Sequence, residues 1–472
     1  MFLSAAQVEG LYEKALLFAE RKGFKVEHDG LLTALKSAGA SADAKSQIVT
    51  FGRSLVEDAL RVAPSSFKLA AIDPLNDLPL PHPSGGFYGR TNTGATRYLE
   101  PGGAEPRPVT LDDVGTWATL TGQMENIGFC GFPSVSNVPQ EIADVEAMRR
   151  LLGASSKHVW VQPYTDESLK YLIEMALVAG GGQDELRKRP IMSLITCSLT
   201  PFLFKPMDAE VLLAACRQGI PIHACSLPSA GGTSPITPIG SVFVAAVEVL
   251  AMIVMAQLLA PGHPVIGTTL MFAMDMHSGR VNHSSPEALR AAAQAVQLVK
   301  QAFGVPTHTY GAGSDSPVFD TQTTTEAAVQ TSIVALAGAD ILGAAGQFET
   351  ATSISPLQLI LDNEVMGLLK AVKRGGPIDD DALGWQTMLD VAHGGTFLTT
   401  DHTYEHCRDV WMTKLFTRDA PDVWRGRNHG DLLQRLEARY RDIIEHPAGA
   451  FLSDDVGAAL DEVVGHARQA LT

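Results

Sequence analysis

Polar and aromatic side chains follow directly after a run of small apolar residues near position 346. The run from Gly343 to Gly346 is followed by Gln347, Phe348, Glu349 and Thr350, and an apolar-periodic stretch opens at Ser355. This order predicts a strand, a loop and a helix, and such loops carry the chemistry of many α/β enzymes. The loop contains no Cys, His, Lys or Arg. It therefore suits a reaction that uses a ring and a carboxylate but no protein nucleophile or strong acid.

Eight strand-like runs, separated by helical patterns, would position this loop. They comprise residues 126–132, 158–163, 190–197, 220–226, 264–272, 305–313, 340–346 and 394–399. Between them, stretches such as 285–303 repeat apolar residues with a period near 3.6, which is typical of a helix. The alternation predicts an α/β fold, a (β/α)₈ TIM barrel. A doubly wound sheet is the alternative, because a count of strands does not show closure.

The two ends of the chain differ from this alternating region. Residues 1–105 combine helical stretches with a segment rich in Pro and Gly over 73–103. We predict an N-terminal helical and short-strand extension over 1–105 that packs on the barrel. The TIM-barrel domain then covers 106–472 and ends in C-terminal helices.

Composition excludes several function classes. The chain has 472 residues and a net charge of −16, which argues against nucleic acid and anionic membranes as partners. The most apolar run, 241–262, is interrupted by Glu248 and Gln257 and predicts a buried helix. Charged residues within positions 1–20 argue against a signal peptide. Five cysteines without tight spacing favour a reducing compartment, so we expect a cytoplasmic protein.

A barrel places its chemistry at the C-terminal ends of its strands, so the strand ends supply the candidate site residues. Four aromatic residues fall at or just after four different predicted strands: Phe129, Tyr310, Phe348 and Phe397. Aromatic faces attract quaternary ammonium groups. Ordinary apolar lining would account for any one of them equally well.

Titratable side chains at the strand ends give two further hypotheses. His223 and Cys225, with Cys197 on the neighbouring strand, could bind zinc, or could simply share one face of the sheet. The segment 311–326 carries Asp315, Asp320 and Glu326, and paired carboxylates of this kind could perform acid–base chemistry. Asp315 could equally cap a turn.

The order of several longer motifs resembles one known family. These motifs are "SAGGTSPITP", "DMHSG", "GSDSPVFDTQTTTEA", "ALAGADILGAAGQFE", "LQLILDNEVMGLLK", "HGGTFLTTDHT" and "WMTKLFTRD". The sequence resembles the trimethylamine methyltransferase family, most strongly over residues 200–425. The resemblance implies a TIM barrel that moves a methyl group from a methylated amine to the Co(I) corrinoid of a separate small protein. It also implies a homo-oligomer.

The founding members of that family carry pyrrolysine, which forms an adduct with trimethylamine. This sequence has only standard residues, and the pyrrolysine position falls near Phe348–Thr350. The chain thus resembles the non-pyrrolysine branch, whose substrates are quaternary amines, glycine betaine foremost. Co(I) is itself the nucleophile, and a quaternary amine leaves as a neutral tertiary amine, which explains a loop without a nucleophile or an acid.

Given this resemblance, the strand ends and the segment 80–105 supply the candidate site residues. Catalytic roles fall to Glu349 and Asp315. Substrate binding falls to Phe129, His223, Tyr310, Gln347, Phe348, Phe397, Tyr98 and Arg97, with Arg90 and His402 as further candidates for a betaine carboxylate. Cobalamin would be carried by the partner protein rather than bound tightly here, and we expect no metal.

Two other function classes remain open from the sequence. A metal-dependent barrel hydrolase or lyase would require zinc at the His223, Cys225 and Cys197 set. A non-catalytic betaine-binding protein would hold the substrate without transferring its methyl group.

Overall fold

The barrel is the central element of the computed structural model, which describes residues 2–427, 430–449 and 451–472. Eight parallel strands form it: β1 (Tyr88–Thr91), β2 (Ile127–Cys130), β3 (His158–Val161), β4 (Met192–Cys197), β5 (Ile222–Ser226), β6 (Val265–Thr269), β7 (Thr307–Tyr310) and β8 (Ile341–Ala345). The sheet closes between β8 and β1, where Ile341 lies opposite Tyr88. The predicted (β/α)₈ barrel is confirmed, and closure excludes the doubly wound sheet.

Two predicted boundaries differ from the structure. The first barrel strand, β1, lies inside the segment assigned to the N-terminal extension, so the boundary at residue 105 is wrong and the barrel begins before residue 106. Residues 394–399 form turns and bends instead of the predicted eighth strand. The sequence hid β1 because it has four residues set in a stretch rich in Gly and Pro, which is typical of loops.

Helices surround the barrel and connect its strands. Those between β1 and β8 are Leu111–Gly122, Ala143–Ala154, Asp166–Ala179, Gln183–Lys188, Pro206–Gln218, Pro238–Leu259, Pro286–Leu298 and Thr321–Ala337, and Pro356–Arg374 follows β8. A π-helical turn, Val299–Phe303, extends one of them. The predicted helix start at Ser285 is confirmed, because its hydroxyl accepts a hydrogen bond from the Ala288 amide.

Helix Pro238–Leu259 is long and apolar enough to cross a membrane by length and composition alone. Within its most apolar stretch, 83% is buried inside the protein. The helix packs against β5, β6 and the N-terminal helices. A helix that is apolar on all sides belongs in a core, so the prediction of a buried helix is confirmed.

The N-terminal part lies outside the barrel except for one hairpin. Its helices are Ala5–Arg21, Asp29–Ser37 and Arg53–Val62, and its small sheet contains Phe24–Val26, Ser41–Asp43, Ile48–Thr50 and, from the loop after β4, Leu203–Phe204. The hairpin pairs Phe67–Leu69 with Leu78–Leu80. Its leucines share an apolar cluster with Ile266 and Ile341 of the barrel interior, so the hairpin closes the N-terminal end of the barrel.

Two short sheets cover parts of the opposite, C-terminal end, which we call the mouth. One contains Ser229–Ala230, Phe272–Met274 and Val281–Asn282, and the other contains Arg97–Tyr98, Arg107–Pro108, Gln347–Phe348 and Ser353–Ile354. In the second sheet Ser353 lies opposite Arg97. The loop after β1 is thereby fixed to the loop after β8.

The described residues after 376 form four short helices and two long ones. They are Asp380–Leu383, Trp385–Asp390, Asp401–His406, Pro421–Arg427, Leu432–Glu445 and Asp454–Leu471. The long helices pack on helices of the barrel. Residues 376–427, in contrast, leave large apolar side chains at the surface, and Ile378, Leu398, Tyr404 and Met412 are each at least 70% exposed.

A buried carboxylate fixes the chain where β4 and β5 end. Glu248, in the apolar helix, is fully buried. Its Oε2 accepts hydrogen bonds from Ser198 and Ser226 at 2.5 Å and from Thr200 at 2.9 Å. Its Oε1 accepts from the Phe202 amide at 2.7 Å. Four donors satisfy this charge without a cation, so the carboxylate positions the loop after β4.

Replacing Glu248 with alanine should destabilise the protein, because buried donors would lose their acceptor at a cost of about 1–3 kcal/mol each. We expect the free energy of unfolding to fall by at least ~3 kcal/mol in urea denaturation. Glu287→Ala, on an exposed helix face, is the control and should change it by less than ~0.5 kcal/mol. Equal midpoints for both variants would contradict the role of Glu248.

Candidate active site at the barrel mouth

The barrel interior repeats one alternating pattern on three strands. A histidine is followed two residues later by Trp, Cys or Tyr in β3, β5 and β7: His158 and Trp160, His223 and Cys225, His308 and Tyr310. Residues two apart in a strand share a face. The three histidines are fully buried. The pattern therefore places a histidine layer inside the barrel, with Trp, Cys and Tyr one step nearer the mouth.

A chain of hydrogen bonds crosses this layer, and its two ends are chemically fixed. At one end, Arg90 Nε donates to His308 Nε2 at 3.1 Å. At the other end, His158 Nδ1 lies 2.7 Å from the carbonyl oxygen of Ala70. An arginine can only donate and a carbonyl can only accept, so an arrangement in which every bond of the chain is made has a single direction.

Two hydroxyls connect the three rings between those ends. Thr268 Oγ1 lies 3.3 Å from His308 Nδ1 and 3.4 Å from His223 Nδ1. Ser193 Oγ lies 3.2 Å from His223 Nε2 and 2.9 Å from His158 Nε2. The fixed direction assigns the ring proton to Nδ1 in His308 and His158 and to Nε2 in His223. Each ring then donates once and accepts once.

Burial keeps all three histidines neutral. It lowers the pKa of His158 to about 4. Burial, with the positive charge of Arg90 as a second cause, lowers the pKa of His223 and His308 well below the ordinary range. A second proton on His308 would also set its Nε2–H against the Nε–H of Arg90. The layer therefore supplies no general acid at neutral pH.

Arg90 is a buried cation surrounded by neutral acceptors. It is 1% exposed, and its Nη1 donates to the Thr91 carbonyl at 2.7 Å and to Thr93 Oγ1 at 3.2 Å. Its Cζ lies 4.5 Å from the ring centroid of Trp160. A Cβ at position 343 would approach Nη2 to 2.7 Å, so Gly343 leaves the space that the guanidinium occupies. Burial lowers the pKa of Arg90 to about 10, and the group stays charged at neutral pH.

Three rings meet at the mouth. Tyr310 lies 5.6 Å from Phe272 and 5.3 Å from His283, measured between ring centroids. Phe272 and Tyr310 are partly exposed, whereas the predicted aromatic residues Phe129 and Phe348 are fully buried. Gln347 is fully buried and positions this group, because its amide contacts His283 Nε2 at 3.1 Å and accepts from Asn92 at 2.5 Å.

The two predicted catalytic carboxylates hold loops together. Asp315 accepts from the His283 backbone amide at 3.1 Å and from Thr350 Oγ1 at 3.0 Å. It thus links the loops after β6, β7 and β8. Glu349 accepts from Ser353 Oγ at 2.6 Å across the hairpin after β8. Both carboxylates are engaged by local donors, which gives them a positioning role.

The hairpin after β8 has an unusual backbone. Glu349, Thr350 and Ala351 have φ values of 52°, 50° and 72°, in the left-handed region that costs non-glycine residues roughly 1–2 kcal/mol each. Phe348 is fully buried and lies opposite Ser353. The ring of Phe348 is therefore covered, and the rings that face the mouth are those of other residues. Three consecutive strained residues persist only where surrounding contacts hold them.

Two other predicted aromatic ligands lie away from the mouth opening. Phe129 is fully buried inside the barrel, with its ring centroid 5.4 Å from that of His158. Phe397 was placed at a strand end, which is wrong: it is 48% exposed in the turns outside the barrel. His402, in the same region, bonds to the Asp381 carbonyl at 2.9 Å.

Arg97 and Tyr98 lie in the second short sheet at the mouth, where both side chains make local contacts. Arg97 is exposed, and its guanidinium donates to the Pro106 carbonyl at 2.7 Å. Tyr98 is 2% exposed and is covered by Arg107, whose Cζ lies 5.2 Å from its ring centroid. The structure therefore gives Tyr98 a packing role.

The predicted zinc set does not assemble as a ligand cluster. Cys197 and Cys225 lie side by side in register on β4 and β5, both as free thiols. Both nitrogens of His223 lie within the hydrogen-bonded chain. Among the residues that the structure describes, no group of three or more His, Cys, Asp or Glu side chains is arranged to hold a metal ion.

An open cleft of about 640 Å³ leads to the mouth above β1 to β4. Its lining includes Gly94, Ser134, Gln162, Tyr164 and Cys197, which follow or end those four strands. The cleft gives solvent, and any molecule carried by another protein, a route to the strand ends.

Sequence reasoning missed several residues of this site. Trp160, His283 and His308 were absent from the predicted set, and Phe272 was only a strand-end residue. The pattern His-x-aromatic is present in "HVW" and "HTY", and its period of two would have identified Trp160 and His308. Arg90 was proposed for a carboxylate but could not be placed, because its strand was hidden.

The closed barrel, with partly exposed rings and an open cleft at the strand C-terminal ends, defines a (β/α)₈-barrel enzyme. The chain belongs to the trimethylamine methyltransferase family: it matches the family model described as "Trimethylamine methyltransferase (MTTB)" over residues 1–472. The predicted resemblance is confirmed. The protein is a methyltransferase of this family.

Individual relatives span nearly the whole chain. Trimethylamine methyltransferase MttB of Desulfitobacterium hafniense (strain DSM 10664 / DCB-2) is 29% identical over 463 residues, covering 98% of this chain and 92% of the relative. Glycine betaine methyltransferase of Desulfitobacterium hafniense (strain Y51) is 27% identical over 466 residues, covering 98% and 96%. Among solved structures, the monomethylamine methyltransferase MtmB of Methanosarcina barkeri has a TM-score of 0.53 at 12% identity, covering 100% of this chain and 88% of that one. This structural likeness supports the fold.

The buried histidine layer makes the stability sensitive to acid. A folded pKa below the unfolded value of about 6.5 means that unfolded chains bind protons first as the pH falls. Stability should be fully present above pH ~6.5 and fall by up to ~1.4 kcal/mol per unit and per histidine towards the folded pKa, about 4 for His158. Thermal melts between pH 7.5 and 5.5 measure this.

The control for that prediction compares two substitutions. His223→Asn should reduce the slope of melting temperature against pH below 6.5. His446→Gln, whose side chain is 75% exposed, should leave the slope unchanged. Equal slopes for the wild-type protein and His223→Asn would show that this histidine is not held neutral in the folded state.

Proposed function

We propose that the protein transfers a methyl group from a quaternary amine, glycine betaine foremost, to the Co(I) corrinoid of a separate partner protein. One observation carries this: the mouth presents the rings of Phe272 and Tyr310, while its carboxylates are engaged in holding loops. The corrinoid supplies the nucleophile. A quaternary amine leaves as a neutral tertiary amine and needs no proton. The chain's own residues then bind and orient the methyl donor.

Weak attraction at the rings suits this reaction. The ammonium charge disappears as the methyl group departs, so a tight ion pair at nitrogen would stabilise the ground state more than the transition state. Ring–cation attraction contributes only about 0.5–2 kcal/mol. Alignment of methyl group, nitrogen and acceptor supplies the larger part, up to ~7–11 kcal/mol in favourable cases. The rigid hydrogen-bonded frame around Gln347 and His283 provides such alignment.

A quaternary substrate is favoured over trimethylamine. The loop Gln347–Ala351 contains no residue that could form an adduct with trimethylamine, and without activation its nitrogen is a poor leaving group. A relative named glycine betaine methyltransferase covers 98% of this chain, which supports the same substrate class here.

The partner and the assembly are part of this proposal. The corrinoid protein would dock at the mouth, because the cleft of about 640 Å³ leaves the strand ends accessible. We expect a homo-oligomer that covers the exposed apolar side chains of residues 376–427. A cytoplasmic location is supported by the five free thiols.

The reaction is tested with purified protein and chemically reduced cobalamin. We expect methylcobalamin to form with glycine betaine or a related quaternary amine, and at neutral pH no formation above background with trimethylamine. The absorbance change from Co(I) to methyl-Co(III) measures the initial rate. Discrimination should appear in turnover more than in binding, because both cations fit an aromatic mouth.

Each alternative gives a distinct result in that assay. Comparable rates with trimethylamine would contradict the quaternary preference. Binding of betaine without methyl transfer, also in the presence of the cognate corrinoid protein, would favour a binding protein. Activity abolished by chelators and restored by zinc would favour the metal-dependent hydrolase or lyase.

The ring of Tyr310 should matter more than its hydroxyl. We expect Tyr310→Phe to keep most of the affinity for tetramethylammonium and Tyr310→Leu to lose roughly 0.5–2 kcal/mol, the range of ring–cation attraction. Calorimetric titration measures both. Tyr404→Leu, at a side chain that is 80% exposed outside the barrel, is the matched control. Equal affinities of the Phe and Leu variants at position 310 would show that the Tyr310 ring does not contribute to binding of the cation.

A further inference from the structure

Arg90 has more donors than the protein satisfies. Its acceptors are the Thr91 carbonyl, the Thr93 hydroxyl and His308 Nε2, all of them neutral. Nη2 makes no hydrogen bond to any residue that the structure describes. The groups that act to raise its pKa are the phenol of Tyr310 and the thiol of Cys225, not a carboxylate. The cation is therefore held without a counter-charge.

The hydrogen-bonded chain beneath Arg90 cannot supply that counter-charge. Its direction is fixed, so each ring and hydroxyl already donates away from the guanidinium and accepts from the side facing it. The stacked ring of Trp160 offsets part of the cost of burying the charge. Removing an unpaired guanidinium from water still costs several kcal/mol. Such a residue persists where an anion completes it.

A second buried donor lies in the same place. Trp160 Nε1 is buried and has no hydrogen-bond partner among the described residues. Trp160 and Arg90 are in direct contact, with the guanidinium over the indole. An apolar ligand would leave both the Trp160 N–H and the Arg90 charge without a partner. A group with two anionic oxygens matches the chemistry of both.

Neighbours of Arg90 line the open cleft. Thr93, which accepts from Nη1, directly precedes Gly94 in the lining of that cleft. Cys197, beside Cys225 in register, lines the same cleft. Arg90 itself is 1% exposed, so a ligand that arrives from the cleft must displace the side chains that cover the guanidinium.

We propose that Arg90, with Trp160 beside it, receives the carboxylate of a zwitterionic methyl donor and thereby selects anionic betaines over simple quaternary ammonium ions. The inference rests on the function proposed above and specifies its substrate class. Guanidinium and carboxylate form paired, charge-assisted hydrogen bonds.

This placement also orients the donor. The carboxylate points into the barrel, towards the histidine layer. The ammonium group lies nearer the mouth, where Tyr310 and Phe272 present their rings. The N-methyl group then points outward, to the side from which another protein can approach. Selection and alignment arise from the same contact.

Isosteric ligands test the proposal on the wild-type protein. Glycine betaine and its primary amide have the same trimethylammonium group and nearly the same shape, but only betaine has a carboxylate. Calorimetric titration should give at least ~10-fold tighter binding for betaine, the ratio expected from a charge-assisted hydrogen bond. Equal binding of the two ligands would overturn the proposal, as would acetate alone binding as tightly as betaine.

Variants test the residue itself. Arg90→Gln should bring the ratio of betaine to amide affinity close to 1, and Arg90→Lys should restore part of it. A purely structural arginine would weaken both ligands together and leave the ratio unchanged, which would contradict the proposal. Arg61→Gln, at a side chain that is 72% exposed, is the matched control and should keep the wild-type ratio. If the position 90 variants fail to fold, the wild-type comparison of betaine with its amide still decides.

The methyl-transfer assay separates this inference from the proposed function. If wild-type protein methylates cobalamin from betaine and from its amide with equal kcat/KM, the proposed function stands and the proposed role of Arg90 is wrong. If the protein binds betaine through Arg90 but transfers no methyl group, even with its corrinoid partner, the carboxylate site stands and the proposed function is wrong.

Discussion

A fixed direction of hydrogen bonding inside the barrel constrains the rest of the structure. It begins at Arg90, which can only donate, and ends at the Ala70 carbonyl, which can only accept. Burial keeps the three histidines between them neutral, and one arrangement of their protons makes every bond of the chain. The hairpin that supplies Ala70 closes the far end of the barrel, so the same chain also fixes the closed end relative to the mouth.

The carboxylates at the mouth each connect loops or strand ends through hydrogen bonds. Glu248 collects four donors at the ends of β4 and β5, Asp315 connects three loops, and Glu349 closes a hairpin. Each negative charge is satisfied locally. Glu248, Asp315 and Glu349 are therefore engaged in holding the structure of the mouth. The strained backbone of the loop after β8 is held by the same contacts.

Two parts of the molecule differ in their surfaces. The mouth combines an open cleft of about 640 Å³ with the partly exposed rings of Phe272 and Tyr310. The segment 376–427 is instead exposed and rich in large apolar side chains. Isolated chains rarely display such a surface, and covering it by a second copy would remove apolar area from water. The mouth is therefore an open cleft, whereas the segment 376–427 is an exposed apolar surface.

The sequence by itself determined the fold class and the family, because periodicity and ordered motifs are local properties of the chain. It predicted seven of the eight barrel strands and a buried helix in the run 241–262, which the structure has as Pro238–Leu259. Only the tertiary structure decided which residues meet. The four-residue strand β1 has no local signature, and it becomes a strand because closure requires a partner for β2 and β8. Arg90 on that strand, and the choice of Tyr310 and Phe272 over Phe348 and Phe397, depend on burial and on contacts between residues distant in sequence, which no local pattern encodes.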